Sequence, residues 1–430
     1  MPIVVQTSRQ QRSRMRARHA SVAFILITLF IDMLGAGLVV PILPKLIEAF
    51  AGGAISEASF VYGLLIALYA LMQFAFAPVL GALSDRYGRR PVILLALLGL
   101  GCDYVLLSLA PNIWWLVAGR IIAGIFGATY TPASAYIADV SPPEKRAANF
   151  GLMGVAFGLG FIAGPALGGL LGQFDLRLPF VVAAGLTLAN VVFGLFVLPE
   201  SLKPENRRPI VLAQANPLGA LQAVWRYQGV AALIPVVVAS GLAQQGLQSV
   251  WVPYTGYRFA WGVAEVGVSL AVVGLFFAAA QGLLVRPVVA RFGEARTLVG
   301  GLVVAVIGFI LYGLASEGWM MYTITAGYMF GLGVLGPAAQ GLLSRAVPAS
   351  EQGLLQGALA SVNTATAVVG PPQANGLFAY FVSPAAPVVL PGAPFFLGSA
   401  LFLVSLLLAV RNLTAPGAPV RLPAPSPLTP

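Results

Sequence analysis

Charge is what this chain has least of. Of its 430 residues, 9% are Asp, Glu, Lys or Arg and 59% are hydrophobic, against roughly 25% charged in ordinary globular domains. So few charges cannot clothe a soluble surface of this size, and the chain reads as a polytopic membrane protein. Cysteine and histidine are nearly missing too, since Cys102 and His19 stand alone. One of each excludes an intrachain disulfide, a Cys/His metal centre and a histidine-based triad, so neither a metal nor a cofactor is expected. No Walker A loop of the form G-x-x-x-x-G-K-[ST] occurs, and no soluble stretch has the size of an ATPase domain, which argues against a self-contained primary pump. A membrane enzyme would need a nucleophile, a metal site or a carboxylate pair at reactive geometry. Asp32 and Asp103 supply carboxylates, but no second constellation joins them, so the chain is expected not to be an enzyme.

Long apolar runs are what is there. Twelve begin near residues 21, 60, 91, 113, 150, 179, 229, 263, 297, 319, 353 and 393, each able to supply the roughly 20 residues that cross a bilayer at about 1.5 Å per residue. The arginine-rich start followed by an apolar run could in principle be a cleavable signal. The run over 21–43 has spanning length, carries Asp32 and lacks a clear small-residue cleavage site, so it is expected to be the first span. With a cytoplasmic N-terminus, nearly all Lys and Arg outside the spans fall on the cytoplasmic side, and only Lys45, Arg177 and Arg258 fall opposite. That asymmetry predicts an even number of spans with both termini cytoplasmic, and the multi-pass chain is expected in the cell inner (plasma) membrane. The net charge of +10 is therefore mostly topology. Its basic residues lie scattered in loops rather than on one soluble face, which excludes nucleic acid as a partner.

The chain also repeats itself. Pro142, Gly151 and Gly164-Pro165 recur as Pro348, Gly357 and Gly370-Pro371, and Arg86-Tyr87-Gly88 recurs as Arg291-Phe292-Gly293. The expected organisation is a basic tail over 1–20, a six-span half over 21–200, a cytoplasmic loop over 201–227, a second six-span half over 228–412 and a Pro/Ala-rich disordered tail over 413–430. Such duplication is one way transporters build alternating access around a midplane site.

Three groups of residues carry candidate chemistry. The turn from Gly81 to Arg90 packs Asp85, Arg86, Arg89 and Arg90 between two nearly uncharged runs. Gly81 and Gly88 permit close helix approach and unusual backbone angles, while Asp85 can accept from a neighbouring helix N-terminus or pair with Arg. The turn is expected to act as a conformational gate. Its second copy has Arg286 in place of the first glycine and Ala290 in place of Asp85, which predicts a degenerate gate there. In the fifth span Gly160, Gly164 and Gly168 recur at i, i+4 and i+8 beside Pro165 and Gly169, giving one smooth face. Finally, Asp32 lies about 11 residues into the first span and Asp103 about 12 into the third, near mid-membrane, and Arg120 lies within the fourth. Insertion costs roughly 2.5 to 3.5 kcal/mol for each such charge at a helix centre, so they must face a watery cavity or one another. Burial favours a neutral carboxylic acid and an approaching cation favours the charged form, which makes such a group a proton switch. A static bridge between Arg120 and a carboxylate is the alternative.

These residues resemble the major facilitator superfamily, and within it the twelve-span drug/proton antiporters. The Gly81 turn resembles that superfamily's signature between the second and third spans. Arg120 with Gly124 and Gly127 resembles the fourth-span pattern of proton-coupled members, and Gly160 to Gly169 the fifth-span antiporter motif. Asp32-Met33-Leu34-Gly35-Ala36-Gly37 running to Pro41 and Pro44, Leu68-Tyr69-Ala70-Leu71-Met72-Gln73, and Cys102-Asp103-Tyr104 are similar to the tetracycline/proton antiporters. The resemblance implies an all-α fold of twelve transmembrane helices in two pseudo-symmetric halves. It implies proton handling by Asp32, Asp103 and Arg120, and export of an amphipathic small molecule, tetracycline leading, in exchange for protons by a chain working as a monomer in the lipid bilayer. Tyr69, Gln73, Gln244, Gln248, Gln281, Gln340 and Asn363 could contact substrate in a mainly apolar pocket, although each amide could equally serve as an interhelical hydrogen bond. The family's helix-9 acidic residue and helix-8 histidine are replaced by Ala305 and Phe277, which leaves coupling to Asp32, Asp103 and Arg120. A proton-coupled symporter of a sugar or other nutrient on the same fold is the alternative, because fold does not fix function. A passive channel or scaffold is a further one.

Overall fold

A bilayer offers backbone groups no water, so each spanning segment must satisfy its own hydrogen bonds, and an all-helical chain is the result. The computed structural model describes residues 22–207, 224–348 and 351–414. The N-terminal arginines, Arg208 with much of the central loop, and nearly all of the Pro/Ala-rich tail lie outside the described residues. Nine described stretches are long and apolar enough to cross a membrane; one of them, Val263–Leu314, runs to 52 residues. That stretch is two helices, because Gly293 breaks it with φ 74° and ψ 163°. Two further helices, Gly318–Arg345 of 28 residues and Gln352–Val382 of 31, have spanning length but are more polar. Among the described residues the count is thus twelve.

We number them α1 (Val22–Phe50), α2 (Ile55–Tyr87), α3 (Arg89–Ser108), α4 (Ile113–Val140), α5 (Pro143–Gly172), α6 (Leu178–Val197), α7 (Gln228–Phe259), α8 (263–292), α9 (294–314), α10 (Gly318–Arg345), α11 (Gln352–Val382) and α12 (Ala393–Thr414). Their boundaries follow local chemistry. A turn at 40–42 interrupts α1 around Pro41, which cannot donate to the helix ladder. Asn112 caps α4 by accepting from Trp114 N at 3.1 Å, and Pro143 opens α5 at the first helical position, where a missing N–H costs nothing. Ala260, with φ 54°, ends α7.

The helices form two compact units that cut across the chain. One holds the described parts of Met1–Leu46 and Leu71–Ala215 together with Val263–Ala271. The other holds Ile47–Ala70 and the described parts of Asn216–Gly262 and Val272–Pro430. Each therefore recruits a helix segment from elsewhere in the sequence. In the first, Phe24, Ile25 and Leu29 of α1 pack with Ile93, Leu97, Tyr136, Ile137 and Val191 in a dry core. In the second, aromatic rings dominate: Tyr254, Phe309, Tyr312, Tyr328, Phe395 and Phe402 are buried and meet mainly edge to face at centroid distances of 4.5 to 6.4 Å. Their hydroxyls are satisfied locally. Tyr254 donates to Tyr312 O at 2.8 Å and Tyr312 Oη shares a proton with Thr325 Oγ1 at 2.8 Å, as buried phenols require.

Candidate functional site

Asp32 of α1, Asp103 of α3 and Arg120 of α4 are all drawn inward. Asp103 is fully buried and faces Arg120 across 3.5 Å, and the Arg120 side chain is only 12% exposed. Among the described residues neither oxygen of Asp103 accepts a hydrogen bond, so the ion pair is its main compensation. Gly119 makes room for it: a Cβ there would stand 2.7 Å from Asp103 Oδ1. Asp32 is 7% exposed and takes a different partner, accepting from Thr129 Oγ1 at 2.7 Å. Thr129 was not legible as a site residue. It lies where α4 is interrupted, between Ile113–Phe126 and Tyr130–Val140. The carbonyl of Gly127 at that interruption accepts from Gln73 Nε2 of α2 at 3.1 Å.

The glycine face of α5 lies directly against the Asp32 stretch of α1. A Cβ on Gly160 would meet Phe30 O at 2.6 Å, one on Gly164 would meet Gly37 Cα and Leu34 O at 2.7 Å, and one on Gly168 would meet Leu38 O at 2.5 Å. Pro165 stacks on Gly37, while Gly169 abuts Val263 and Gly267 at the start of α8. The turn of α1 bearing Asp32 is thus gripped by backbone on one side and by the α4 interruption on the other.

In the Gly81–Arg90 turn Asp85 takes the second of its two expected partners. Asp85 pairs with Arg89 one turn on, and Arg89 Nε also donates to Asp139 at the end of α4 at 3.3 Å. The α3 N-terminus is capped not by Asp85 but by Glu200, which follows α6 and accepts from Arg89 N at 2.9 Å and Arg90 N at 3.3 Å. Ser201 adds a bond to Asp139 at 3.0 Å, and Arg90 reaches the carbonyl of Leu195. Gly88 is required, with φ 109° and no space for a Cβ beside Glu200. Gly81 is not, because a Cβ would make only ordinary contact with Thr131 at 3.7 Å. Arg86 lies over the ring of Tyr87 at 5.3 Å.

The second copy of this turn is less degenerate than its sequence suggests. Gly293 keeps the positive φ of Gly88. Arg89 and Asp139 correspond by the repeat to Glu294 and Arg345, which bond at 2.9 Å. The bridge recurs with its charges exchanged.

The amides divide. Gln244 accepts from the Tyr328 hydroxyl and Gln73 serves Gly127, so both bond between helices. Gln248, Gln281 and Asn363 are exposed and Tyr69 and Gln340 half-buried. Gln281 falls in a short π-helical segment, Ala280–Leu284, a local widening often found at functional positions. Phe277 is 38% exposed and Ala305 buried. One further polar cluster escaped sequence reading: Ser59 of α2 donates to Asn375 Oδ1 at 2.9 Å, and Asn375 Nδ2 donates to Ser249 Oγ at 2.8 Å and to Pro371 O at 2.9 Å, all buried.

Twelve helices of spanning length, with two carboxylates and an arginine buried among those of the first unit, define a class, the membrane transporters of the Major Facilitator Superfamily. The chain belongs to that superfamily, whose family model matches residues 25–283 and again 233–430. Within it the chain is similar to the tetracycline resistance proteins. It is 43% identical to the class C protein of Escherichia coli, over 89% of this chain and 94% of the relative. It is 38% identical to the class D protein of Salmonella ordonez, over 93% and 98%. Among solved structures, the human organic anion transporter MFSD10 (TETRAN) matches with TM-score 0.67 and 25% identity, over 91% of this chain and 99% of that one. The nucleoside transporter NupG matches with TM-score 0.75 over 90% and 98%, but at 12% identity it speaks to the fold alone.

Proposed function

We propose that this chain is a secondary active exporter that exchanges protons for a tetracycline-type amphipathic molecule by alternating access. The observation that carries this reading is the inward pairing of Asp103 with Arg120, together with a buried Asp32, in a chain that shares 43% identity with a tetracycline resistance protein over nearly its whole length. A buried carboxylate and its arginine form a two-state element. With the pair intact the charges compensate, and protonation of the carboxylate frees the guanidinium for another partner. Asp32, Asp103 and Arg120 are assigned to coupling, and the Gly81–Arg90 turn to gating. The Gly160–Gly169 face is assigned to close helix packing at the Asp32 turn, and Tyr69, Gln248, Gln281, Gln340 and Asn363 to substrate contact. Gln73 and Gln244 remain candidates for substrate contact once their interhelical bonds are exchanged.

The protein works as a monomer in the inner membrane, with both termini cytoplasmic, and performs no covalent catalysis. Reconstituted vesicles with an imposed pH gradient test the reading. The native chain should accumulate tetracycline against its gradient and Asp103→Asn should not. Undiminished accumulation by Asp103→Asn would remove Asp103 from coupling, and failure of the native chain across a panel of amphipathic drugs would remove the export assignment.

A further inference from the structure

The interruption of α4 is not needed to cross a membrane, and it lies beside Asp32. Its backbone bonds can be followed one by one. Gly127 N still donates to Ala123 O at 2.7 Å, but Thr131 N has slipped from Gly127 O to Ala128 O, at 3.2 Å. The Gly127 carbonyl so released is the one that Gln73 Nε2 occupies. Thr129 has helical dihedrals, φ −55° and ψ −30°, where a threonine hydroxyl ordinarily bonds back to a carbonyl of the preceding turn. Its single proton goes instead to Asp32 Oδ2 at 2.7 Å.

We infer that Thr129 is a positioning residue for Asp32, and that Thr129 and Gln73 make the 127–129 interruption a hinge held open by the ionised carboxylate. The inference deepens the export reading and rests on it for its purpose. A hydroxyl bond to a carboxylate is roughly twice as strong as a neutral one. When a proton joins Asp32, the hydroxyl loses its charged acceptor and is free to turn back onto α4. Thr131 N can then return to Gly127 O and displace the Gln73 amide, which closes the helix. No other group nearby supplies the same signal. Asp103 on α3 is committed to Arg120 of α4, and the other titratable side chains within the surrounding spans are the phenols of Tyr62 and Tyr69 on α2, Cys102 and Tyr104 on α3, and Tyr130 and Tyr136 on α4; Lys45, Glu48, Glu57, Asp85, Arg86, Tyr87, Arg89, Arg90 and Asp139 stand toward the helix ends. Between Phe150 and Gly172, and throughout α6, no titratable side chain occurs.

Hydrogen–deuterium exchange on the full chain in lipid nanodiscs tests this, read on peptides covering 123–133 and corrected for the intrinsic pH dependence of exchange. Amides at the interruption should exchange about tenfold more slowly at about pH 5 than at about pH 8. Thr129→Ser should keep that response, whereas Thr129→Val and Asp32→Asn should flatten it. In parallel, Thr129→Val should shift the pH profile of transport and Thr129→Ser restore it. A native chain whose 123–133 amides ignore pH overturns the hinge, as does a Thr129→Val chain with the full response. An intact exchange response in a native chain that fails to export supports the hinge while refuting the export reading.

Discussion

Replacing Gly88 with alanine should be among the costliest single-methyl additions in this protein, for two separable reasons. The backbone there has φ 109° and ψ 160°, a region that costs an L-residue about 1 to 3 kcal/mol. The new Cβ would also stand 2.2 Å from Glu200 Oε2 and 2.7 Å from its Cδ. Because the Glu200 carboxylate ends a flexible side chain it would swing away, abandoning Arg89 N and Arg90 N, and loss of a helix cap costs about 0.5 to 2 kcal/mol. Together these give about 1.5 to 5 kcal/mol for Gly88→Ala and about 0.5 to 2 for Glu200→Ala. The two losses share the cap, so the double variant should cost about the same as Gly88→Ala alone. Equilibrium unfolding of the full chain in mixed micelles, run as a double-mutant cycle, measures this. Strict additivity, or a Gly88→Ala cost within about 0.5 kcal/mol of zero, would falsify the reasoning that Glu200 caps α3.

Further outcomes are expected. Gly164→Ala places a methyl 2.7 Å from the α1 backbone at Gly37 and Leu34, which cannot yield, so it should destabilise by about 1 to 3 kcal/mol. Gly158→Ala, with open space around it, should be neutral or mildly stabilising in the same unfolding assay. Arg345→Glu should weaken the α9 to α10 bridge and slow transport, and adding Glu294→Arg should recover both stability and rate; no recovery would mean that the exchanged-charge pair has no part in the cycle. Outside the spans, a hydrogen bond from the Tyr227 hydroxyl and then the Arg226 guanidinium hold Glu351 below the ordinary carboxylate range. A lowered folded-state value means the tie contributes above the ordinary carboxylate pKa and is lost as pH falls through the lowered one. Melting curves of the native chain and Glu351→Gln should therefore converge on acidification, and the difference should be small and salt-sensitive because the pair is exposed.

The spans were readable because lipid enforces them: a run either satisfies its backbone as a helix or does not insert. The inward placement of Asp32, Asp103 and Arg120 was readable for the converse reason, since charge within a span is too costly to face lipid. The α4 interruption was not. Gly124 and Gly127 marked the region, but Thr129 looks like any threonine until Asp32, 97 positions away, bonds to it. Glu200 caps a helix start 111 positions distant, and Ser59 meets Asn375 across 316; no local pattern encodes such pairs. The repeat aligned Asp85 with Ala290 and so suggested a lost gate. The bridge had in fact been kept by exchanging Arg89 and Asp139 for Glu294 and Arg345.

If the buried carboxylates carry the coupling, exchange of substrate for protons is obligatory. The most direct measurement imposes a tetracycline gradient on reconstituted vesicles at equal pH on both sides and follows lumenal pH. Protons should move opposite to the drug with the native chain and not with Asp32→Asn or Asp103→Asn. Drug movement without a pH change, or protons travelling with the drug, would contradict it.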